Sequence, residues 1–390
     1  MAAAADDGGR PGFAGKVLCG YQGWFRCPGD PAGTPPDTWF HWFRRRTPGG
    51  GGALEPTVEM WPDLSEFDPD ELYPAPGFAH RDGRPAHLFS SAHPKTVRRH
   101  FEWMRKYGLD GVLFQRFLSH AEGTDFRSYA AVLPLVRRAA RETGRAWCVE
   151  YDMSGAKEGE LLDRLARDWE RLTEKENVAD DPTYLYEKGK PVVAIWGFFP
   201  DRFSGATANR ILDHFSKRAY VVGGVNWPYR RDTRGDPEWQ RANRRFDALS
   251  PWNVGHAVSA PGGILRAGTQ TWAEDLAECA KTGQLYVPVL FPGFRWNNLK
   301  KLPPETVGIP RRRGDFLREQ FAEAERLGLT TLKVAMFDEV DEATAIFKVT
   351  NDPPAAPPPF LTSEGQPTDA YLKLVGDETR KVHARHRAAG

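Results

Sequence analysis

"FRSYAAVLPLVRRAARETGRAWCVEYDM", residues 126–153, holds one complete turn of the rhythm that decides the fold. Apolar residues recur at helical spacing up to Gly144, the residue type that closes helices in the left-handed conformation. A short β-rich run over 145–153 follows at once. The same helix, glycine, strand order recurs at "HPKTVRRHFEWMRKYG" (93–108) and "LDGVLFQRF" (109–117). Further strands are predicted at "KVLCGYQGWF" (16–25), "KPVVAIWGF" (190–198), "AYVVGGVNW" (219–227), "ALSPWNVG" (248–255), "LYVPVLFPGF" (285–294) and "TTLKVAMFDEV" (330–340). Helical patterns fill 158–175, 206–218, 237–246, 271–284 and 315–329 between them. Unbroken βα alternation requires a parallel sheet with both faces covered. Eight units in roughly 330 residues suit a (β/α)8 TIM barrel, one domain with a long loop after strand one. No GxGxxG follows the first strand and no GxxxxGK[ST] occurs, which disfavours the nucleotide-binding α/β folds.

The expected organisation is a flexible N-terminus (1–12), the barrel (13–350), and a segment over 351–390. That last part opens on the Pro-rich "NDPPAAPPPF" (351–360) and ends in a helix near 368–376, packing on or trailing the barrel. The loop over 28–92 carries "RRRTPGGGGALEP" (44–56) and is expected to arch over the barrel mouth or to be mobile at its four glycines.

Lys plus Arg (53) nearly cancels Asp plus Glu (52), so a net charge of +1 gives no electrostatic footprint for nucleic acid or an anionic membrane. No stretch reaches the length of a membrane span, and "MAAAADDGGRPG" lacks the pattern of a secretory leader. The expectation is a cytoplasmic protein with free thiols, because Cys19, Cys27, Cys148 and Cys279 form no CxxC pair or zinc spacing. Cys148, in mid-strand, reads as a small packing residue. Thirteen Trp exceed what core filling needs, since the indole N–H wants a partner, and suggest stacking surfaces in a cleft.

In a barrel the strand C-terminal ends carry the site. Read in order they offer Trp24, with His41 and Trp42 in the following loop. Then come Gln115 and Arg116, then Glu150, Tyr151 and Asp152, Trp196, Asn226 and Trp227, and Phe294 and Trp296. Such a rim of rings, amides and charges suits carbohydrate, whose apolar faces stack while its hydroxyls meet polar groups. Plain packing is the competing reading for Trp24, Trp42, Trp227 and His41. Arg44–Arg46 reads as a solvated run, and "PRRRGDF" (310–316) as a helix start with Arg311 facing water.

Strand eight ends in "MFDEVDEATAIF" (336–347), with Asp338, Glu339, Asp341 and Glu342 in five positions. Such crowding serves a bound cation or acid–base chemistry, and helix capping accounts for one or two acids at most. The stretch lacks the glycine and alternating oxygens of a calcium loop. Paired carboxylates at a barrel strand end are the apparatus of glycoside hydrolysis. A sugar-binding barrel without catalysis and a metal-dependent hydrolase remain alternatives.

These stretches resemble glycoside hydrolase family 99, the endo-α-mannosidases, and more loosely the family 71 α-1,3-glucanases. "FDEVDEAT" (337–344) is similar to that family's Phe/Tyr-Asn-Glu-Trp-His-Glu-Gly-Thr, "YVPVLFPGFRWNN" (286–298) to its strand ending in Pro-Gly-Tyr, and "PRRRGDF" to its Arg-containing segment, which brings in Arg312. Fainter is "CVEYD" (148–152), which places Glu150 at a strand-end glutamate. The resemblance implies a (β/α)8 α-glycosidase that needs no metal or other cofactor and takes a carbohydrate or small glycoside. Glu339 would deprotonate the substrate 2-hydroxyl, and Glu342 would protonate the leaving oxygen and then activate water. Retention would proceed through a 1,2-anhydro sugar. Asp338 and Asp341 replace the family's Asn and His, and Val340 its Trp, so the two extra acids are expected to raise neighbouring pKa values. Phe294 replaces a tyrosine, with the loss of one hydroxyl.

Overall fold

One segment of chain closes the sheet by serving both of its edges. The computed structural model describes residues 9–45, 53–120, 130–356 and 359–389. Strands β1 (Val17–Tyr21), β2 (Gly111–Phe117), β3 (Ala146–Asp152), β4 (Lys190–Phe198), β5 (Tyr220–Asn226) and β6 (Ala248–Trp252) pair in parallel, each with the next. Strand β7, over 285–290, comes in two halves, and β8 is Leu332–Val334. Leu285–Tyr286 pairs with β6, Val289–Leu290 with β8, and β8 with β1. The ring is thereby complete, and the fold is a (β/α)8 barrel. Pro288 marks the join in β7: it has no N–H to give, and its carbonyl accepts from Lys333.

Every predicted strand is present, though several are shorter. β1 ends at Tyr21 because the next two N–H groups, of Gln22 and Gly23, go to the Asp338 side chain. The covering helices are α1 (Pro94–Tyr107), α2 (Val132–Thr143), α3 (Glu158–Glu170), α4 (Gly205–Phe215), α5 (Pro237–Asn243), α6 (Trp272–Thr282), α7 (Asp315–Arg326) and α8 (Ala370–Ala389). Gly108 and Gly144 close α1 and α2 at φ +84° and +65°, where a Cβ is disfavoured. α2 is described from Val132; the expected start at 126 falls within residues 121–129, which lie outside the described range. α3 runs on into a widened turn, Arg171–Lys175, which completes the helical pattern expected to 175. α8 is longer than the sequence suggests and packs against α1 and α7. Its Gly376 crosses α1 so closely that a Cβ would meet the Tyr107 carbonyl oxygen at 1.8 Å.

The loop after β1 is folded rather than simply arched. It holds two hairpins, Phe43–Arg45 with Leu54–Pro56 and Tyr73–Ala79 with Pro85–Leu88. Trp61 gathers Phe43, Phe78 and Phe360 around it, and the Glu59 and Met60 N–H groups both donate to the Val340 carbonyl. The glycine run 49–52, Arg46 and the first eight residues lie outside the described range. Most of the tryptophan surplus turns out to be core. Trp42, Trp61, Trp147, Trp169, Trp239 and Trp272 are all wholly buried. Among the described residues no helix is long and apolar enough to cross a membrane.

Candidate active site

A cavity of about 570 Å³ opens at the C-terminal ends of the strands. Its walls come from the segment just after β1 (Gln22, Trp24), from β2 (Gln115, Phe117), β3 (Asp152), β4 (Trp196) and β6 (Trp252), and from the segments after β7 and β8. Side chains alternate across a strand, so Gln115 and Phe117 face this space together while Arg116 between them cannot. The rings form separate platforms. Trp24 lies face to face with His41 (centroids 3.8 Å apart, planes at 4°) and against Phe117 at 5.1 Å. Trp196 meets Phe199 and Trp252 edge-on at 4.8 and 5.6 Å, and Phe294 meets Trp296 at 5.0 Å. Two cations sit on these rings, Arg202 over Trp196 and Phe199 and Lys300 over Trp296.

The four acids after β8 separate into two pairs. Glu339 and Glu342 line the cavity, whereas Asp338 and Asp341 do not. Asp338 is wholly buried, and its two oxygens accept from the Gln22 and Gly23 N–H groups at 2.8 and 2.9 Å. Burial outweighs those donors and pushes it up to about 7. Asp341, equally buried, faces His41 at 3.2 Å. His41 holds a left-handed backbone (φ +61°), unusual for a non-glycine residue, and the Thr57 hydroxyl donates to its carbonyl. No helix starts at the cluster, so the capping explanation fails. Among the described residues no three His, Cys, Asp or Glu side chains gather in a metal-holding group.

Glu339 receives hydrogen bonds on both oxygens, from Gln22 Nε2 at 3.0 Å and the Thr344 hydroxyl at 3.3 Å. Burial raises it well above the usual carboxylate range, helped by Glu342, Asp341 and Asp338. Glu342 is pushed up to about 8, first by burial and then by Asp341, with Lys300 opposing. Burial and the neighbouring carboxylates thus raise both glutamates, so each keeps its proton to higher pH than a free carboxyl does.

Beneath the cavity, Lys333 and Glu150 cross the barrel interior from β8 to β3 and meet at 2.5 Å, each 2% exposed. Gln115 donates to the other Glu150 oxygen, and the Lys333 ammonium lies 4.9 Å from the Trp252 ring centre. Glu150 therefore supports wall residues and is not itself on the wall.

Besides Glu150, Asp338 and Asp341, six more expected contacts lie off the cavity wall. Arg116 and Tyr151 point outward to the helix layer and bind Asp168 of α3, by a two-pronged ion pair and a hydroxyl at 2.8 Å. Trp42 is wholly buried and donates to the Phe89 carbonyl, as a packing anchor. Asn226 is tied to Asp232, and Trp227 to Thr271 at 2.9 Å. Arg312 reaches back to Glu319 on α7. Arg311, expected in water, is buried with its guanidinium 3.8 Å over Tyr371 and donating to the Ala345 carbonyl. Of the remaining expected residues, Trp24, Gln115, Asp152, Trp196, Phe294 and Trp296 line the cavity, and His41 backs Trp24. Gln22, Phe117, Trp252, His256 and Lys300 were not expected there. Strand alternation could have found Phe117 and excluded Arg116 and Tyr151; Lys300, on a one-turn helix (Asn297–Lys300), and His256, in a loop, left no such signal.

No protein-family model matches this chain, and no curated protein matches its sequence. Its fold is shared with solved structures. The GH99 endo-alpha-mannosidase from Bacteroides thetaiotaomicron superposes with a TM-score of 0.68 at 14% identity, over 96% of this chain and 99% of that one. The same enzyme in complex with bis-tris-propane gives 0.67 at 14% identity, with the same coverage. A glycoside hydrolase-like protein gives 0.51 at 14% identity, over 85% of this chain and 97% of that one.

Proposed function

We propose that this chain is a retaining glycosidase that cleaves an α-linked glycoside. The observation that carries the reading is that Glu339 and Glu342 both stand on the wall of an aromatic-lined cavity at the strand ends, where burial raises both carboxyls. In this mechanism Glu339 takes the proton of the sugar 2-hydroxyl as O2 attacks C1. The C1–O bond to the leaving group breaks, and Glu342 gives its proton to the departing oxygen. The 1,2-anhydro sugar then opens when Glu342 takes a proton from water, the water oxygen bonds to C1, and Glu339 returns its proton to O2. Two inversions at C1 give retention. The fold shared with the endo-alpha-mannosidase supports this reading, as does the way both Asp338 oxygens are taken by the Gln22 and Gly23 N–H groups.

The test is sugar release from a panel of α- and β-linked mannosides, glucosides and xylosides by the parent protein and Glu342→Gln in parallel. Release by the parent that disappears in the variant supports the reading; a parent that binds sugars but cleaves none overturns it in favour of a binding barrel. Dialysis against a chelator is expected to leave turnover unchanged, and a loss restored by a divalent cation would instead favour the metal-dependent alternative.

The pH profile gives a second check. A carboxyl raised to about 8 keeps its proton below that pH, so kcat/KM is expected to fall as pH rises through about 8. Asp341→Asn removes a negative charge that raises both glutamates and should move this limb to lower pH. An alkaline limb that stays in place in Asp341→Asn would count against Glu342 as the acid.

A further inference from the structure

The cavity wall carries a cation that the fold holds in place and leaves unpaired. β4 ends at Phe198, and the chain turns at once over Phe199–Arg202. The Arg202 N–H donates to the Phe199 carbonyl at 3.0 Å, and Pro200 takes the second position of the turn, which its fixed φ suits. The turn sets the guanidinium carbon 4.4 Å from the Phe199 ring centre and 4.9 Å from that of Trp196. Arg202 Nη1 donates to the Ser154 hydroxyl at 3.2 Å. Among the described residues Arg202 has no other side-chain hydrogen bond and no ion pair, yet it is exposed and lines the cavity. Asp152, a carboxylate of the same wall, accepts instead from the Ser154 N–H at 2.7 Å. Lys300, on the Trp296 ring, is a second exposed wall cation without an ion pair among the described residues.

A guanidinium is a planar fork of N–H donors that matches the oxygens of a carboxylate, sulfate or phosphate. Here the turn, the two rings and Ser154 have already ordered the side chain, so little rotamer freedom is left to lose when an anion binds. We propose that the substrate is an acidic glycoside, one bearing a carboxylate or a sulfate or phosphate ester, and that Arg202 binds that anion. Lys300 adds to the positive field of the wall. This inference names the substrate class for the glycosidase reading above and rests on it.

Parent and Arg202→Gln are compared on α-mannosides and α-glucosides, each offered neutral, as the uronide, as the 6-sulfate and as the 6-phosphate. The parent is expected to cleave one acidic form with kcat/KM roughly tenfold or more above its neutral counterpart, the size of a charge-assisted hydrogen bond. Which form it prefers distinguishes carboxylate, sulfate and phosphate. The preference should shrink as sodium chloride is raised, because exposed charges are screened. It should vanish in Arg202→Gln and survive in part in Arg202→Lys, which keeps the charge without the fork. A parent that cleaves the neutral form as well as every acidic one overturns the proposal, and so does a preference that Arg202→Gln retains. Where that variant fails to fold, an acid preference in the parent that salt leaves unchanged overturns it. A parent that cleaves no glycoside sinks the glycosidase reading by itself. Calorimetric titration of glucose, glucuronate, glucose 6-sulfate and glucose 6-phosphate, and of the mannose series, then decides Arg202 separately. An acidic sugar bound more tightly than its neutral counterpart by the parent, but not by Arg202→Gln, sustains the contact. A parent without such a preference removes it.

Discussion

Glu342→Gln is expected to lower kcat on an alkyl glycoside by about a hundred- to ten-thousand-fold, the range a positioned general acid contributes. The substitution is isosteric and keeps a hydrogen-bonding group at the wall, so folding and sugar binding should survive. Its effect should depend on the leaving group. An alkoxide must be protonated to depart, whereas a dinitrophenolate departs without a proton. The bond-breaking step on the dinitrophenyl glycoside should therefore be far less impaired than on the alkyl one. The burst of released phenolate, read against steady-state turnover, measures that step apart from water attack, which also needs Glu342. Equal loss of the first step on both substrates would remove Glu342 from the role of acid. Glu339→Gln should instead impair that step on both, because the 2-hydroxyl must lose its proton whatever leaves.

The largest effect on stability is expected at the base of the cavity. Lys333 and Glu150 are both buried and meet across the barrel interior, with Gln115 completing the Glu150 carboxylate. Removing one partner of such a pair leaves an uncompensated charge where water cannot reach, which costs about 3–5 kcal/mol. Lys333→Ala should show this loss in urea unfolding. Replacing both together, Lys333→Met with Glu150→Met, should recover most of it, since an apolar pair has no charge to desolvate. A single-variant cost below about 1 kcal/mol would mean that the pair is open to water and carries no such burden. The pair also bears on the site, because Gln115 and Trp252, which it supports, are wall residues. A change in KM without a change in the pH profile would be the mark of that support.

The barrel was legible because its causes are local. Continuous apolar runs give buried strands, helical spacing gives the outer layer, and Gly108 and Gly144 turn one into the other at left-handed φ. The short extent of β1 was not legible, since the carboxylate that takes its next two N–H groups belongs to Asp338, 316 and 315 residues further along. Arg116 and Tyr151 were misplaced for a simpler reason: reading whole strand ends as one surface ignores the alternation that sends Gln115 and Asp152 inward and their neighbours outward. Trp42 was misplaced because an indole that packs and an indole that stacks on a ligand look alike in one dimension.

From sequence alone come the ring of βα units and the position of a carboxylate cluster at the end of the eighth strand, where such a fold puts chemistry. Which carboxylates face the cavity is a different kind of fact. Four acids within five residues are equivalent along the chain. They become distinct only when the loop after β1 brings His41 to Asp341 and the end of β1 brings two amides to Asp338. Those partners lie about three hundred residues away, and hydrogen bonding across that separation is decided by barrel closure, not by neighbours in sequence. Glu339 and Glu342 are left to the cavity because the fold has already engaged the other two.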